Sequence, residues 1–127
     1  MASELRITTL ANNAGTESVD TTYVINGSAK SWISFTGTGT ITIRDSFSVS
    51  SIVDNTTGDY SINFSNAMDN NDYSHVTAIG STGSTNQSCS TWSNQTTSQT
   101  QVHTRDVYIN SPSDGPIVSS TVHGDLA

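Results

Sequence analysis

The chain has 127 residues, a formal net charge of −7 and a sequence pI of about 4.4. A chain of this length predicts one domain. Its four basic residues form no cluster in sequence, which argues against nucleic-acid binding through phosphate neutralisation. The negative net charge opposes attraction to an anionic membrane. Because only 32% of the residues are apolar, below the roughly 45–50% of globular domains, we expect a thin core that copies of the chain must share.

Cysteine content and hydropathy further limit the classes of protein to which the chain can belong. Cys89 is the single cysteine, so no disulfide within one chain is possible. No window holds the roughly 18 apolar residues of a membrane-spanning helix, and the N-terminal sequence lacks the basic and apolar regions of a signal peptide. We therefore expect no membrane insertion. Only 12% of the residues are charged and about a third are Ser or Thr, a composition that favours strands over disorder.

Residues 1–28 are predicted to form an N-terminal arm. Leu5, Ile7 and Leu10 suggest one short strand, and Val19 begins a second apolar patch that stops at the Asn-Gly turn signal of residues 26–27. This segment is too short and too polar to build a core by itself. We expect it to be extended, and either flexible or packed on a neighbouring subunit, with Leu5, Ile7 and Leu10 as its attachment residues.

Residues 29–64 carry the clearest β pattern. Three runs of alternating apolar and polar residues follow one another there, separated by turn residues. Strict alternation places one set of side chains in a core and the other set in water. The runs are a first strand from Trp32, a second through Ile41 and Ile43 that continues toward Phe47 and Val49, and a third through Tyr60, Ile62 and Phe64. We expect a β-meander with Trp32 in the core.

The remainder of the chain alternates loops and strands. The predicted elements are a loop over 66–72, a strand over 73–79, a loop or weak strand over 80–95, a long bent strand over 96–110, a two-proline turn over 111–116 and a last strand over 117–122. No helix of normal length is predicted. Many short strands separated by turns indicate an all-β fold, an antiparallel β-sandwich that is jelly-roll-like and spans residues 29–127.

Four stretches of the sequence are distinctive. They are the central run WISFTGTGTITIRDSFSVSSIVDNTTGDYSINFSNAM, the Tyr73 strand after it, the final VHGDLA and the N-terminal LRITTLANNAGT. Together they resemble a domain of tail-fibre and other virion structural proteins of tailed bacteriophages, especially phages of marine bacteria and cyanobacteria. Residues 44–60 are the most specific part, and residues 80–95 match nothing in that family. The resemblance implies a β-rich, trimeric, non-enzymatic virion component, assembled in the host cytoplasm, and it implies no ligand.

Two groups of residues have the chemistry of metal ligands. The acidic loop of residues 69–72 (DNND) offers carboxylate and amide oxygens for calcium, but it lacks the spacing of an EF-hand, so we favour a structural loop. His75, His103 and His123 lie on or beside different predicted strands, and one of them could meet its symmetry copies on a trimer axis. Lone histidines are more often ordinary polar or half-buried residues. We therefore predict no metal site and no cofactor.

The sequence carries no catalytic motif. Serines are numerous, but no G-x-S-x-G nucleophile elbow occurs between a strand and a helix. Any Ser-His-Asp arrangement would be accidental, so we predict that the protein is not an enzyme. Cys89 lies in a Ser/Thr-rich stretch and is interpreted as a small, inert packing residue.

Trp92, Tyr73 and Asn94 are candidates for glycan or interface contacts. An aromatic face stacks on the apolar face of a sugar ring, and amide groups bind its hydroxyls. Because proteins use large aromatic side chains mostly for packing, we favour a packing role for Trp92 against the sheet or another subunit.

These observations predict a homotrimeric tail-fibre or tail-appendage protein located in the virion. Its expected partners are other copies of the chain and other virion proteins, and no nucleic acid. Two alternatives stay open: a capsid decoration, cement or head-fibre protein, and a carbohydrate-binding module that recognises a host surface glycan as receptor.

Overall fold

The structure is a computed structural model that describes residues 3–80, 87–91 and 94–127. In this part of the chain two antiparallel sheets pack face to face, and a small arm precedes them. The predicted all-β sandwich is confirmed. The elements in chain order are β1 (Thr9–Ala11), β2 (Ser18–Asp20), α1 (Thr21–Gly27), β3 (Ser31–Thr36), β4 (Thr42–Phe47), β5 (Val49–Thr56), β6 (Asp59–Phe64), β7 (Ser74–Gly80), β8 (Gln87–Thr91), β9 (Gln99–Asp106), β10 (Ser111–Pro112) and β11 (Ile117–His123).

Sheet one has the strand order β4-β3-β11-β7, so the first and last strands of the sandwich are neighbours. Along β3 the residues alternate strictly, with Ser31, Ile33 and Phe35 buried. Val118 of β11 lies opposite Phe35 and is also buried. The prediction that Trp32 belongs to the core is wrong, because the same alternation turns it to the outer face of sheet one, where it is half-buried.

Sheet two has the order β5-β6-β9-β8, and β10 pairs with the end of β9. Tyr60 and Ile62 of β6 and Val102 of β9 face sheet one and are buried. β8 falls in the stretch that was predicted as a loop or weak strand, and it pairs with β9 over five residues. Half-buried Cys89 on β8 packs against the core, in agreement with a packing role. Residues 81–86 and 92–93 lie outside the described chain.

The core consists of two small groups of buried side chains. The larger group contains Ile33, Phe35, Tyr60, Ile62, Val102 and Val118, and the smaller contains Phe64, Met68, Tyr73 and Val122. In each group two rings meet edge to face, at centroid distances of 5.1 Å for Phe35 and Tyr60 and 5.7 Å for Phe64 and Tyr73. Edge-to-face packing is favourable for aromatic pairs because the positive ring edge meets the negative ring face.

A single residue, Ser48, carries the chain from sheet one to sheet two. The second strand was predicted to continue through Phe47 toward Val49, but the chain bends at Ser48, which has φ of 55°, and β5 starts in the other sheet. The Ser48 carbonyl accepts a hydrogen bond from the Ser65 N–H at 3.0 Å, and its hydroxyl accepts one from Asn66 Nδ2 at 3.2 Å. These bonds hold the corner in place.

The arm differs from the extended segment that the sequence predicted. β1 and β2 form a hairpin, and the chain then turns into the seven-residue helix α1. Asp20 caps the helix, because its carboxylate accepts a hydrogen bond from the Thr22 N–H at 2.7 Å. Hydrogen bonding from the Thr22 side chain, together with this bond from its backbone N–H, lowers the pKa of Asp20. None of the α1 residues is buried.

The long strand predicted over residues 96–110 is shorter in the structure. β9 covers only Gln99–Asp106, and residues 107–110 form a turn that leads into β10. The carboxylate of Asp106 accepts hydrogen bonds from the N–H groups of Tyr108 at 2.9 Å and Ile109 at 3.3 Å. A side chain that binds the backbone two and three residues ahead stabilises a turn in place of a continuing strand.

Candidate functional site

The arm presents apolar side chains to water. Leu5 is 82% exposed, and Ile7 and Leu10 are also exposed. These are the three residues that the sequence singled out for attachment, and with Val24 and Ile25 of α1 they line one shallow groove of the arm. In the described chain, nothing from the sandwich covers this groove.

Lys30 connects the arm to the sandwich. Its ammonium group donates hydrogen bonds to the Ile25 carbonyl near the end of α1 and to the Ser28 hydroxyl. Its backbone N–H donates to the Val122 carbonyl at 2.8 Å. The side chain is only 9% exposed, and in the described chain its ammonium has no acidic partner within ion-pair distance. A buried cation bound only to neutral acceptors is an unusual arrangement, because burial penalises an uncompensated charge.

An open groove of about 600 Å³ lies between α1 and the end of the sandwich. Ile25, Phe47 and Leu126 give it an apolar lining, and Lys30 and Asp125 add charge. We call this feature the apolar groove. It contains the last residues of β4 and the segment after β11, so it marks one end of the sandwich, which we call the arm end.

The opposite end carries the turn between β9 and β10. Val107, Tyr108 and Ile109, here called the apolar turn, are 56%, 85% and 66% exposed. The two Asp106 bonds fix the start of the turn, and Arg105 donates to the Asn110 carbonyl at 3.0 Å. Three consecutive large apolar side chains are thus held in water on a rigid base.

A row of side chains crosses the outer face of sheet one. The strand register places Trp32 beside Phe47 on one side and Thr121 on the other, and Val76 follows Thr121. Phe47 and Val76 are exposed and Trp32 is half-buried. The outer face therefore offers a second apolar surface, which includes Trp32, the residue that the sequence analysis predicted in the core.

On the outer face of sheet two, polar side chains form hydrogen bonds with one another. Ser61 Oγ accepts hydrogen bonds from Asn55 Nδ2 at 2.8 Å and from the Nε2 atoms of Gln99 and Gln101 at 3.3 Å each. Asn94, one of the predicted glycan contacts, lies on this face, where its Nδ2 donates to Gln101 Oε1 at 3.3 Å. This amide-rich face has the group types that bind sugar hydroxyls.

The other two candidate glycan residues lie apart from this face. Tyr73 is buried, its ring packs against Phe64, and its hydroxyl donates to the carbonyls of Gln99 at 2.9 Å and Thr96 at 3.2 Å. Burial raises the pKa of Tyr73. Its ring has no open face on which a sugar could stack. Trp92 lies outside the described residues.

His75 bridges the two sheets. Its Nε2 lies 2.7 Å from Ser120 Oγ in sheet one, and its Nδ1 lies 2.9 Å from Thr100 Oγ1 in sheet two. Desolvation by burial lowers the pKa of His75 to about 4, so the ring is neutral at pH 7. Ser120 and Thr100 are buried, and among the described residues the two ring nitrogens bond to these hydroxyls and to no carboxylate. The pair therefore lacks the solvent access and the third group of a hydrolase triad.

The remaining histidines do not converge with His75. His103 lies on β9 with its Nε2 3.3 Å from Asp59 Oδ1, and His123 lies at the end of β11, on the face opposite the buried Val122. Across residues 3–80, 87–91 and 94–127, no three His, Cys, Asp or Glu side chains are grouped to hold a metal ion. In the loop of residues 69–72, Asn70 Oδ1 accepts from the Asp72 N–H at 2.8 Å, a bond that shapes the loop.

The apolar turn and the apolar groove were not found from the sequence. Val107 and Ile109 continue the β alternation of β9, so periodicity alone does not separate them from strand residues. The signal that does is Asp106, whose short carboxylate side chain favours a turn. Within the described chain no helix has the length and hydropathy needed to span a membrane.

Comparison with known proteins gives no relative from which a role could be transferred. The chain matches no protein-family model, no curated protein and no solved structure. The resemblance to virion proteins therefore stays a prediction from the sequence, and the surfaces described above are the basis for any statement about function.

Proposed function

We propose that this chain is a non-enzymatic virion structural protein of a tailed bacteriophage, and that it acts as a homotrimeric tail-fibre or tail-appendage component. One observation supports self-association above all. In the described residues, fifteen large apolar side chains are exposed, whereas ten hydrophobic side chains are buried in the core. Extended apolar surface on a small protein marks contacts with partners, and identical copies are the partners that the resemblance implies.

The arm provides much of this surface. Seven of the exposed side chains belong to it: Leu5, Ile7, Leu10, Val19, Tyr23, Val24 and Ile25. Each large apolar side chain contributes about 1.5–3 kcal/mol when it is fully buried instead of exposed. Association of two proteins costs roughly 4–15 kcal/mol in lost freedom. Burying most of the seven side chains on a neighbouring copy would offset that cost.

The outer face of sheet one is the surface that suits the arm. Half-buried Trp32 forms an apolar row there with the exposed Phe47 and Val76, whereas the outer face of sheet two carries hydrogen-bonded amides around Ser61. In the proposed trimer, the arm of each subunit lies on sheet one of the next subunit. Three such contacts close a ring, because each subunit gives one arm and receives one.

The mass of the native assembly tests the trimer. We expect the full chain, at low micromolar concentration, to have three times the chain mass of 13.4 kDa in light scattering and native mass spectrometry. A folded monomer that melts cooperatively at this concentration would refute self-association through the arm.

Arm variants identify the contact. In Leu5→Ser with Ile7→Ser, the trimer is expected to dissociate at a concentration at least tenfold higher than in the wild type, because two anchors are lost from its interface. Val53→Ser is the matched control, since Val53 is an exposed apolar residue of β5 outside the arm and outside sheet one. Equal dissociation of both proteins would argue against the arm.

The place in the virion requires a separate test. Mass spectrometry of purified particles of the phage that encodes the chain is expected to detect it, and antibody labelling in electron micrographs should place it on the tail. Labelling over the capsid surface would favour the alternative of a decoration, cement or head-fibre protein. Absence from purified particles would refute a virion role.

The polar face of sheet two supports the second candidate function, a carbohydrate-binding module. Asn94 and Gln101 present amide groups there, and a glycan would compete for the bonds that these groups now make with each other. A glycan array with wild-type protein, Asn94→Ala and Trp92→Ala tests this function. Binding that both substitutions abolish would favour it, and no binding by the wild type would remove it.

A further inference from the structure

We infer that the apolar turn of one copy docks into the apolar groove of a second copy, so that copies join end to end. The turn follows the last residue of β9 and the groove contains the last residue of β4, at opposite ends of the sandwich. The eight residues of β9 span seven steps between these ends, or roughly 23 Å at a rise of about 3.3 Å per residue. The contact uses two different surfaces, so each joined pair keeps one free turn and one free groove.

The shapes of the two features support this contact. The groove has a volume of about 600 Å³, within the roughly 300–1,000 Å³ of pockets that enclose a small ligand, and its open side admits several side chains. The turn projects Val107, Tyr108 and Ile109 from a base that Asp106 holds by two hydrogen bonds. A preformed turn loses little conformational freedom on docking.

The charges beside the two features are complementary. Lys30 in the groove is buried, and among the described residues its ammonium is bound only to the Ile25 carbonyl and the Ser28 hydroxyl. Asp106 beside the turn uses one carboxylate oxygen for its two hydrogen bonds, and its other oxygen has no partner in the described chain. Arg105 flanks the turn and Asp125 flanks the groove. Docking thus brings a cation and an anion of each side together.

A second copy explains both features, whereas other occupants explain one each. A small apolar ligand would fill the groove and leave the turn without a role. A membrane would take the turn alone, and the net charge of −7 opposes binding to an anionic surface. The end-to-end contact does not depend on the trimer proposed above, and the two proposals share Ile25 and Phe47, which line the groove and also belong to the arm and to the outer row of sheet one.

Sedimentation velocity of the full chain over a wide concentration range tests the contact. We expect the wild type to form species larger than its basal unit, in steps of that unit, as concentration rises. Tyr108→Ser and Leu126→Ser are each expected to shift these species to at least tenfold higher concentration. Val53→Ser is expected to behave as the wild type. If the wild type forms no larger species up to millimolar concentration, the inference is overturned.

Mixing the two variants gives the decisive result. Tyr108→Ser keeps an intact groove and Leu126→Ser keeps an intact turn, so a mixture should form pairs of basal units and no longer species. Larger species that persist in both variants would overturn the inference. Ile109→Ser serves as a second turn variant if circular dichroism shows that Tyr108→Ser is misfolded.

Native mass spectrometry separates this contact from its rivals. If the wild type copurifies with a small molecule that Leu126→Ser releases, and if Tyr108→Ser leaves the larger species unchanged, the groove belongs to that ligand. This result would overturn the inference. If the wild type forms no larger species but binds neutral lipid vesicles, and if Tyr108→Ser abolishes that binding, the turn belongs to a membrane contact. This result would also overturn the inference. A basal unit that is monomeric but still pairs through these residues would refute the trimer and leave this contact in place.

Discussion

The hydroxyl of Tyr60 donates a hydrogen bond to Asp114 Oδ1 across 3.0 Å, between residues that lie 54 positions apart in sequence. The same carboxylate oxygen accepts the Gly58 N–H at 2.7 Å. Tyr60 is fully buried, and its burial and the Asp114 charge raise the pKa of the phenol, so it remains a donor at neutral pH. One carboxylate therefore fixes the start of β6 to the turn before β11, close to the base of the apolar turn.

Removing this hydroxyl should destabilise the fold. Tyr60→Phe loses a hydrogen bond to a charged acceptor, and we expect the free energy of unfolding to fall by about 1.5–3 kcal/mol, measured by urea denaturation. Tyr23→Phe is the control, because Tyr23 is exposed on the arm and its change should stay within about 0.5 kcal/mol. Equal losses in both variants would contradict a special role for the Tyr60–Asp114 bond.

Gly58 and Gly39 offer a comparison in which only steric space differs. Their φ angles are 69° and 68°, so alanine is strained by about 1–2 kcal/mol at either position. A Cβ at Gly39 meets nothing within 4 Å, whereas a Cβ at Gly58 would overlap the Thr104 carbonyl oxygen. We expect the free energy of unfolding of Gly58→Ala to be lower than that of Gly39→Ala by about 1–3 kcal/mol. Thermal unfolding checks the order, and equal melting temperatures would refute the steric argument.

The regular strands were readable from the sequence. β3 and β11 alternate strictly between buried and half-buried residues, and this pattern follows directly from the two-residue period of a strand. In β6 the apolar residues Tyr60, Ile62 and Phe64 are buried, but Ser61 between them is buried as well. Alternation gives the two faces of a strand but not which face meets the core. Trp32 was predicted to lie in the core, yet its neighbours Ile33 and Ser31 are the buried ones.

The corner, the short helix and the apolar groove could not be predicted from the sequence, each for a different reason. A β alternation that continues through Phe47 and Val49 hides the corner at Ser48, because a positive φ in a serine leaves no trace in hydropathy. α1 is a seven-residue helix, too short for helical periodicity to appear, and Asp20 as its cap was the available signal. The apolar groove could not be predicted, because it joins residues 25, 47 and 126, which are distant in sequence.

Acid should destabilise the fold through His75. Its pKa is about 4 in the folded chain and 6.5 ordinarily, so between these values the unfolded chain binds a proton that the folded chain does not. The stability due to neutral His75 is complete above pH 6.5 and is lost as the pH falls toward 4. From pH 7 to pH 5 we expect a loss of about 2 kcal/mol, measured by urea denaturation at each pH.

Two histidine variants separate this effect from carboxylate titration. His75→Gln can still hydrogen-bond to Thr100 and Ser120 but does not titrate, so it should lose about 2 kcal/mol less than the wild type between pH 7 and pH 5. His123→Gln is the matched control, because it removes a histidine from the face of β11 opposite the buried Val122. The explanation fails if His75→Gln and the wild type lose the same stability.

Lys30 should control how firmly the arm is held. Lys30→Met keeps an apolar stem but removes the bonds to the Ile25 carbonyl and the Ser28 hydroxyl. A seven-residue helix is marginal without such support, so hydrogen exchange of the α1 amides should become about tenfold faster, which corresponds to about 1.4 kcal/mol. Exchange in β3 and β11 should change little, since the backbone bond from residue 30 to Val122 remains. The control is Arg44→Met, which removes an exposed cation from β4. If hydrogen exchange in α1 is unchanged in Lys30→Met, the arm is held by other contacts.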